Sequence, residues 1–181
     1  MIIIFDGTDN TGKTTIAKAL SERIGVPYFT YDRPKQDEIN NRGLSIRYCA
    51  ELRYAYDALG IAKADIIIDR AHPSEYVYGP MLRGMYRGHV ADLDTQLSKY
   101  DSKIIICHKD NAPAKSDEKL TERQLYYAKQ NFALFVESSE CEVLYLDTSD
   151  EDLKYQLLLI TNFIYSDSPM QMKLDAIRNV C

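Results

Sequence analysis

The residues best suited to do chemistry lie in one stretch, Phe5-Asp6-Gly7-Thr8-Asp9-Asn10-Thr11-Gly12-Lys13-Thr14-Thr15. Gly7, Gly12, Lys13 and Thr14 satisfy the spacing Gly-x-x-x-x-Gly-Lys-[Ser/Thr], in which loop N–H groups turn inward around a chain of phosphates. Glycines at both ends permit positive φ and close approach of the backbone. Lys13 brings a mobile charge to the outer phosphates, and the Thr14 hydroxyl is placed to ligate magnesium. Thr8, Asp9, Asn10, Thr11 and Thr15 complete the expected binding loop.

Such a loop works only between a strand and a helix. The apolar run Ile2-Ile3-Ile4-Phe5 supplies the strand, and Ile16, Ala17, Leu20 and Ile24 give the following residues an amphipathic helical period, with the helix N-terminus facing the phosphates. Gly25 is expected to end this helix and residues 26–31 to form a second short strand that stops at Asp32-Arg33-Pro34. Residues 36–59 read as one or two helices with a break at Gly43. Here Arg42, Arg47 and Arg53 alternate with Tyr48, Tyr54 and Tyr56, a pattern suited to stacking a base while a guanidinium takes a phosphate or carbonyl edge, and equally to packing against a sheet.

A third strand is expected over 64–70, its apolar run stopping at Asp69. A carboxylate at the end of a buried strand beside a phosphate loop is placed to hold magnesium, directly or through water, and Arg70 to hold phosphate. Ser74 is expected to cap the next helix, whose Tyr76, Tyr78, Met81, Leu82 and Met85 form a core stripe, with Arg83 and Arg87 one turn apart, placed to face an anion or, as the simpler expectation, on a solvated face. A fourth strand over 103–107 leads into the polar, proline-broken stretch 108–117, expected to be a lid carrying Lys109 and Lys115. Then come a helix over 118–138, a fifth strand over 143–147, a helix capped by Thr148 or Ser149 that runs to about Ile164, and a segment 166–181 of unassigned role. His72, His89 and His108 stand isolated in the sequence.

Strands and helices alternating in this way imply one domain over 1–181: an α/β fold, a three-layer α/β/α sandwich around a five-stranded, mostly parallel sheet with ligands at the C-terminal strand ends. With 181 residues and 45% hydrophobic content, the chain is long enough for one sizeable core. A net charge of −5 argues against DNA, RNA or anionic membranes as partners. Four scattered cysteines, no Cys-x-x-Cys pair and no run of about 20 apolar residues fit a soluble cytoplasmic protein with free thiols.

Taken together, these motifs resemble the thymidylate kinase branch of the nucleoside monophosphate kinases, with deoxynucleoside kinases as near relatives, over residues 1 to about 160. The resemblance rests on Gly7-x-Asp9-x-x-Gly12-Lys13-Thr14, on Arg33-Pro34 after the second strand, and on Asp69-Arg70 with Ser74 and Tyr78 at the family's spacing. It implies the P-loop containing nucleoside triphosphate hydrolase fold and phosphoryl transfer from ATP, with Mg2+ on Thr14 and Asp69. It further implies Asp9 on the acceptor's sugar, Arg33 and Arg70 on its phosphate, and Tyr48, Arg53, Ser74 or Tyr78 near its base. The expected acceptor is dTMP or a related pyrimidine deoxynucleotide, modified bases included. Where the family carries an arginine in the loop this chain has Asn10, with Arg123 the nearest substitute, and Gly79 stands where a glutamine is usual. Two other readings follow. A deoxynucleoside kinase would need a general base, for which the resemblance points to Asp6, and a non-catalytic nucleotide-binding module would keep only Lys13 and Thr14. Thymidylate kinases are commonly dimers, so the resemblance allows a homodimer.

Overall fold

The computed structural model describes residues 1–31, 41–109, 120–150 and 152–166. In chain order the elements are β1 (Ile2–Gly7), α1 (Lys13–Ile24), β2 (Tyr28–Thr30), α2 (Arg42–Ala62), β3 (Ile66–Asp69), α3 (His72–Arg83), α4 (Gly88–Leu97), β4 (Ser102–His108), α5 (Glu122–Ser138), β5 (Glu142–Asp147) and α6 (Leu153–Tyr165). The five strands form one sheet in the order β2-β3-β1-β4-β5, and every pairing is parallel.

Strand periodicity sorts the core into two layers. Ile2, Ile4, Ile68, Ile104 and Ile106 face α2, α3, α4 and α5, where Leu52, Val77, Leu93 and Phe132 meet them. Ile3, Phe5, Ile67, Ile105 and Cys107 face α1 and α6, against Ile16, Leu20, Ile160 and Phe163. A central strand covered on both sides must be apolar at successive positions, which is why β1 reads Ile-Ile-Ile-Phe without alternation. The expected three-layer α/β/α architecture and five-stranded sheet are present.

Several local expectations are corrected. Helix α2 starts at Arg42 with Asn41 as its cap, accepting from the Gly43 N–H at 2.8 Å, so Gly43 lies in its first turn; residues 36–40 of the expected helical stretch lie outside the described residues. Ser74 does not cap α3. That helix begins at His72, Ala71 at its N-cap carries no side-chain acceptor, and Ser74 sits inside the first turn. Gly84, left-handed at φ 60°, ends α3, so Arg83 and Arg87 belong to different elements and neither lies on a solvated helical face. Arg83 is buried against Glu75 at 2.6 Å, whereas Arg87 lies over the Tyr76 ring and bonds Asn131. Helix α4 has no counterpart among the elements expected from the sequence. Helix α5 starts at Glu122 behind a Thr121–Gln124 capping box. Asp152 caps α6, while Thr148 donates to the His108 carbonyl instead and Ser149 to the Asp147 carboxylate.

Candidate active site

The sheet topology places the C-terminal ends of β1 and β3 side by side, and the chemistry gathers there. Where β1 ends, Gly7 has φ 137° and passes so close to β4 that a Cβ would stand 2.1 Å from the Cys107 carbonyl oxygen, so only glycine fits. Asn10 at φ 63° and Gly12 at φ 74° are left-handed and turn the loop toward the N-terminus of α1. A Cβ on Gly12 would meet only the Ile16 side chain, at 3.8 Å, so this glycine serves the backbone angle rather than packing. Thr11 Oγ1 and Lys13 Nζ donate to the Thr8 carbonyl at 2.9 and 3.1 Å and close the loop from within. Lys13 Nζ also lies 3.5 Å from Asp9. Burial holds the Lys13 pKa below its ordinary value, with the nearby Arg70 charge acting in the same direction. Thr14 and Thr15, in the first turn of α1, are exposed.

At the end of β3, Asp69 is buried and faces this loop. Its Oδ2 accepts from Thr14 Oγ1 at 2.6 Å and from the Tyr28 hydroxyl at 2.8 Å. Its Oδ1 is buried with no partner among the described residues. A carboxylate oxygen with free lone pairs beside a threonine hydroxyl is a hard-oxygen donor set, and it fits a magnesium ion completed by phosphate and water. No group of three or more His, Cys, Asp or Glu side chains suited to a metal exists among the described residues, so protein alone would not cage such an ion. Tyr28 was not singled out in the sequence. Burial and the Asp69 carboxylate push its pKa up to about 12, so it remains a donor and fixes that carboxylate's orientation. Only the register of β2 on β3, with Thr30 opposite Asp69, brings it there.

Arg70 follows in a left-handed conformation, φ 70°, with its N–H extending the β1 ladder to the Phe5 carbonyl at 2.8 Å. This backbone angle turns the guanidinium toward the phosphate loop. Nη1 donates to Ser74 Oγ at 3.1 Å and to the Gly7 carbonyl at 3.3 Å, and Nη2 pairs with the Asp9 carboxylate. Burial works against the Arg70 charge, but the Tyr78 hydroxyl and the Asp9, Asp6 and Asp69 carboxylates outweigh it and raise its pKa. Asp9 therefore stands between two cations, Lys13 and Arg70.

Asp6 holds the two sides together. Its Oδ1 accepts from Gly7 N at 2.8 Å and Ser74 Oγ at 2.6 Å, and its Oδ2 from Ala71 N at 3.1 Å and Ser74 N at 2.8 Å. The carboxylate is fully buried with both oxygens doubly engaged. For the alternative of a nucleoside kinase, in which Asp6 is the expected general base, this carboxylate is committed to four protein donors. It is the anchor of the first turn of α3.

The structure also brings Tyr48 and Tyr78 to this place. The Tyr48 hydroxyl donates to the Arg70 carbonyl at 3.3 Å and its ring lies edge-on to Tyr31. Burial raises the pKa of both tyrosines, so each stays protonated beside the arginine. Arg53 is not brought to the site. It is exposed, and its stretch of α2 abuts α4, where Gln96 donates to the Arg53 carbonyl at 2.9 Å. Arg33, Lys115 and residues 110–117 of the expected lid lie outside the described residues. His108, at the start of that stretch, stacks on Tyr145, and Lys109 accepts from Lys129 through its carbonyl. Arg123 bonds Tyr127 on its own helix, at 3.2 Å.

A parallel sheet in this order, with a glycine-lysine loop between its central strand and α1, defines the P-loop kinase fold. No protein-family sequence model and no curated protein matches the chain. Solved structures do. YorR protein from Bacillus subtilis, in complex with phosphorylated GDP, is 16% identical over 93% of this chain and 100% of its own, with a TM-score of 0.67. The thymidylate kinase of Ehrlichia chaffeensis is 18% identical over 91% and 98%, TM-score 0.62. The deoxyadenosine kinase of M. mycoides with bound dATP is 19% identical over 92% and 100%, TM-score 0.59. The chain has the fold of the thymidylate kinase-like nucleotide kinases.

Proposed function

We propose that the protein is an ATP- and magnesium-dependent kinase that phosphorylates a deoxynucleoside monophosphate, with dTMP or a related pyrimidine deoxynucleotide as the favoured acceptor. The observation that carries this reading is the placement of Arg70 opposite Lys13, with Asp9 between them. Two cations flanking one carboxylate suit a donor triphosphate on the loop side and an anionic acceptor on the other.

In this reading the loop amides of residues 7–14 and Lys13 bind the ATP phosphates. Lys13 exchanges its present contact with the Thr8 carbonyl for them, which a buried, desolvated ammonium favours. Thr14 and Asp69 hold the magnesium ion, which when bound neutralises charge on the donor phosphates. Arg70 releases Asp9 to the acceptor's sugar and binds its phosphate, while Arg33 supplies a second charge. Ser74 and Tyr78 keep the guanidinium in place, and Tyr48 lies toward the base. A monophosphate oxygen is already ionised at neutral pH, so this acceptor needs no general base. The nucleoside kinase reading does need one, and the four hydrogen bonds on Asp6 count against it. The chain's acidic balance counts against nucleic acid as the acceptor, and no described helix is long and apolar enough to cross a membrane.

The test is ADP release from ATP and Mg2+ against purine and pyrimidine deoxynucleosides and their monophosphates, with a no-acceptor control. Turnover of a pyrimidine monophosphate and not of its nucleoside is expected. Turnover of nucleosides alone would replace the acceptor assignment, and silence across the panel would remove phosphoryl transfer to a nucleotide altogether.

A further inference from the structure

His72 is buried one residue past the N-cap of α3 and is engaged on both ring nitrogens. Nδ1 lies 2.8 Å from the Tyr56 hydroxyl of α2 and Nε2 lies 3.0 Å from Asp94 Oδ1 of α4. Phe135 of α5 meets the ring edge-on at 5.5 Å. A carboxylate only accepts, and burial raises the Tyr56 pKa well above its ordinary value so that the phenol keeps its proton. Every atom is therefore satisfied when Nε2–H donates to Asp94 and Nδ1 accepts from Tyr56. Asp94 is tied further, to Ser139 Oγ at 2.9 Å and the Glu140 N–H at 2.6 Å. One imidazole thus joins α2, α3, α4 and the turn between α5 and β5.

We propose that His72 is a positioning residue for Arg70. The first turn of α3 has no side-chain cap of its own. It is gripped from the end of β1 by Asp6, through the Ala71 and Ser74 N–H groups, and from the helical layer by His72. Arg70 immediately precedes this turn and holds a left-handed angle that a non-glycine residue adopts only at a cost of about 1–2 kcal/mol. That angle persists only while its surroundings over-determine it. Loosening the His72 grip lets the turn slide, Arg70 relax to negative φ, and the guanidinium withdraw from Asp9. A merely space-filling histidine would have no such directed effect.

The inference rests on the kinase reading only for its kinetic arm. Two variants of the full chain serve: Tyr56→Phe, which removes a single hydroxyl, and His72→Phe, which keeps the ring's bulk and removes both bonds. In amide hydrogen exchange, Tyr56→Phe is expected to speed exchange at Ala71 and Ser74 by about tenfold, the loss of one buried hydrogen bond, with β1 and β4 amides unchanged. His72→Phe is expected to exceed this at the same two amides. Uniform acceleration throughout the sheet, or none at Ala71 and Ser74, overturns the proposal. Kinetically, Tyr56→Phe should raise the monophosphate KM and leave the ATP KM unchanged, and it should have no further effect in an Arg70→Ala background. Equal changes in both KM values, or an effect that survives without Arg70, also overturn it. The exchange arm needs no acceptor, so a failure of the kinase reading is distinguishable from a failure of this one.

Discussion

On the loop side, Gly7 to Thr15 come from one unbroken stretch that closes on itself through neighbours in sequence, Thr11 and Lys13 on Thr8 and Lys13 beside Asp9, and is tied to the rest of the site at Thr14 on Asp69 and at Gly7 and Asp9 on Arg70. On the Arg70 side the groups come from β1, α2, β3 and α3, and the bonds that hold them span long intervals, 61 residues from Arg70 to Asp9 and 65 from Ala71 to Asp6. The internal shape of the first side is set by local bonds and by the backbone angles at Gly7, Asn10 and Gly12. The second exists only when the sheet and two helices are in register, so it depends on buried side-chain bonds. Substitutions on the two sides should therefore fail differently, the first in chemistry and the second in stability or geometry.

The largest expected effect is at Lys13. In the proposed kinase, Lys13→Met should lower kcat/KM by about 10^3-fold or more, since it would remove the charge assigned there to the transferring phosphoryl group. The same change should leave the melting temperature unchanged or higher, because the lysine is buried with its charge disfavoured by desolvation. Thermal unfolding without nucleotide, beside steady-state kinetics, reads both quantities. A fall of several degrees would mean that the loop side depends on its side chains as the other side does.

Asp6→Asn is the converse case. An amide in place of the carboxylate turns an NH2 toward backbone donors, so about 2–4 kcal/mol of stability should be lost, measured by urea unfolding. Were Asp6 a base that acted on substrate, its amide would lose turnover and keep stability. That pattern would restore the nucleoside kinase reading.

The same contrast explains what the sequence disclosed. The loop, β1 and the alternation of strands with helices were legible because each is written in adjacent residues or a short period. The Arg70 side is legible only as residue types: Asp69, Arg70, Ser74 and Tyr78 stand out, but the sequence offers Ser74 as a cap and Asp6 as a base only for the alternative nucleoside kinase, whereas Ser74 donates to Asp6 at 2.6 Å. Tyr28 and His72 carried no local signal at all, because what they do is set by a strand register and by contacts with α2 and α4. Helix α4 is a different case: its buried Val90, Leu93 and Leu97 do recur at helical spacing, a local signal beside the tyrosine and methionine stripe that precedes it.

The smallest expected effect lies at Arg53, and it tests how far the Arg70 side extends. Tyr48 and Arg53 were grouped in sequence because arginines and tyrosines alternate along α2. Five residues of α-helix, however, turn the second about 140° from the first. Tyr48 consequently points to the Arg70 carbonyl, whereas Arg53 is exposed where α2 meets α4. Arg53→Ala should change the acceptor KM by less than about 2-fold and stability by less than about 0.5 kcal/mol, as expected for an exposed side chain away from the site. A larger rise in the acceptor KM alone, with the ATP KM fixed, would show that the acceptor reaches past Tyr48 along α2. The Arg70 side would then be a longer groove than the bonds among Asp9, Arg70, Ser74 and Tyr48 define.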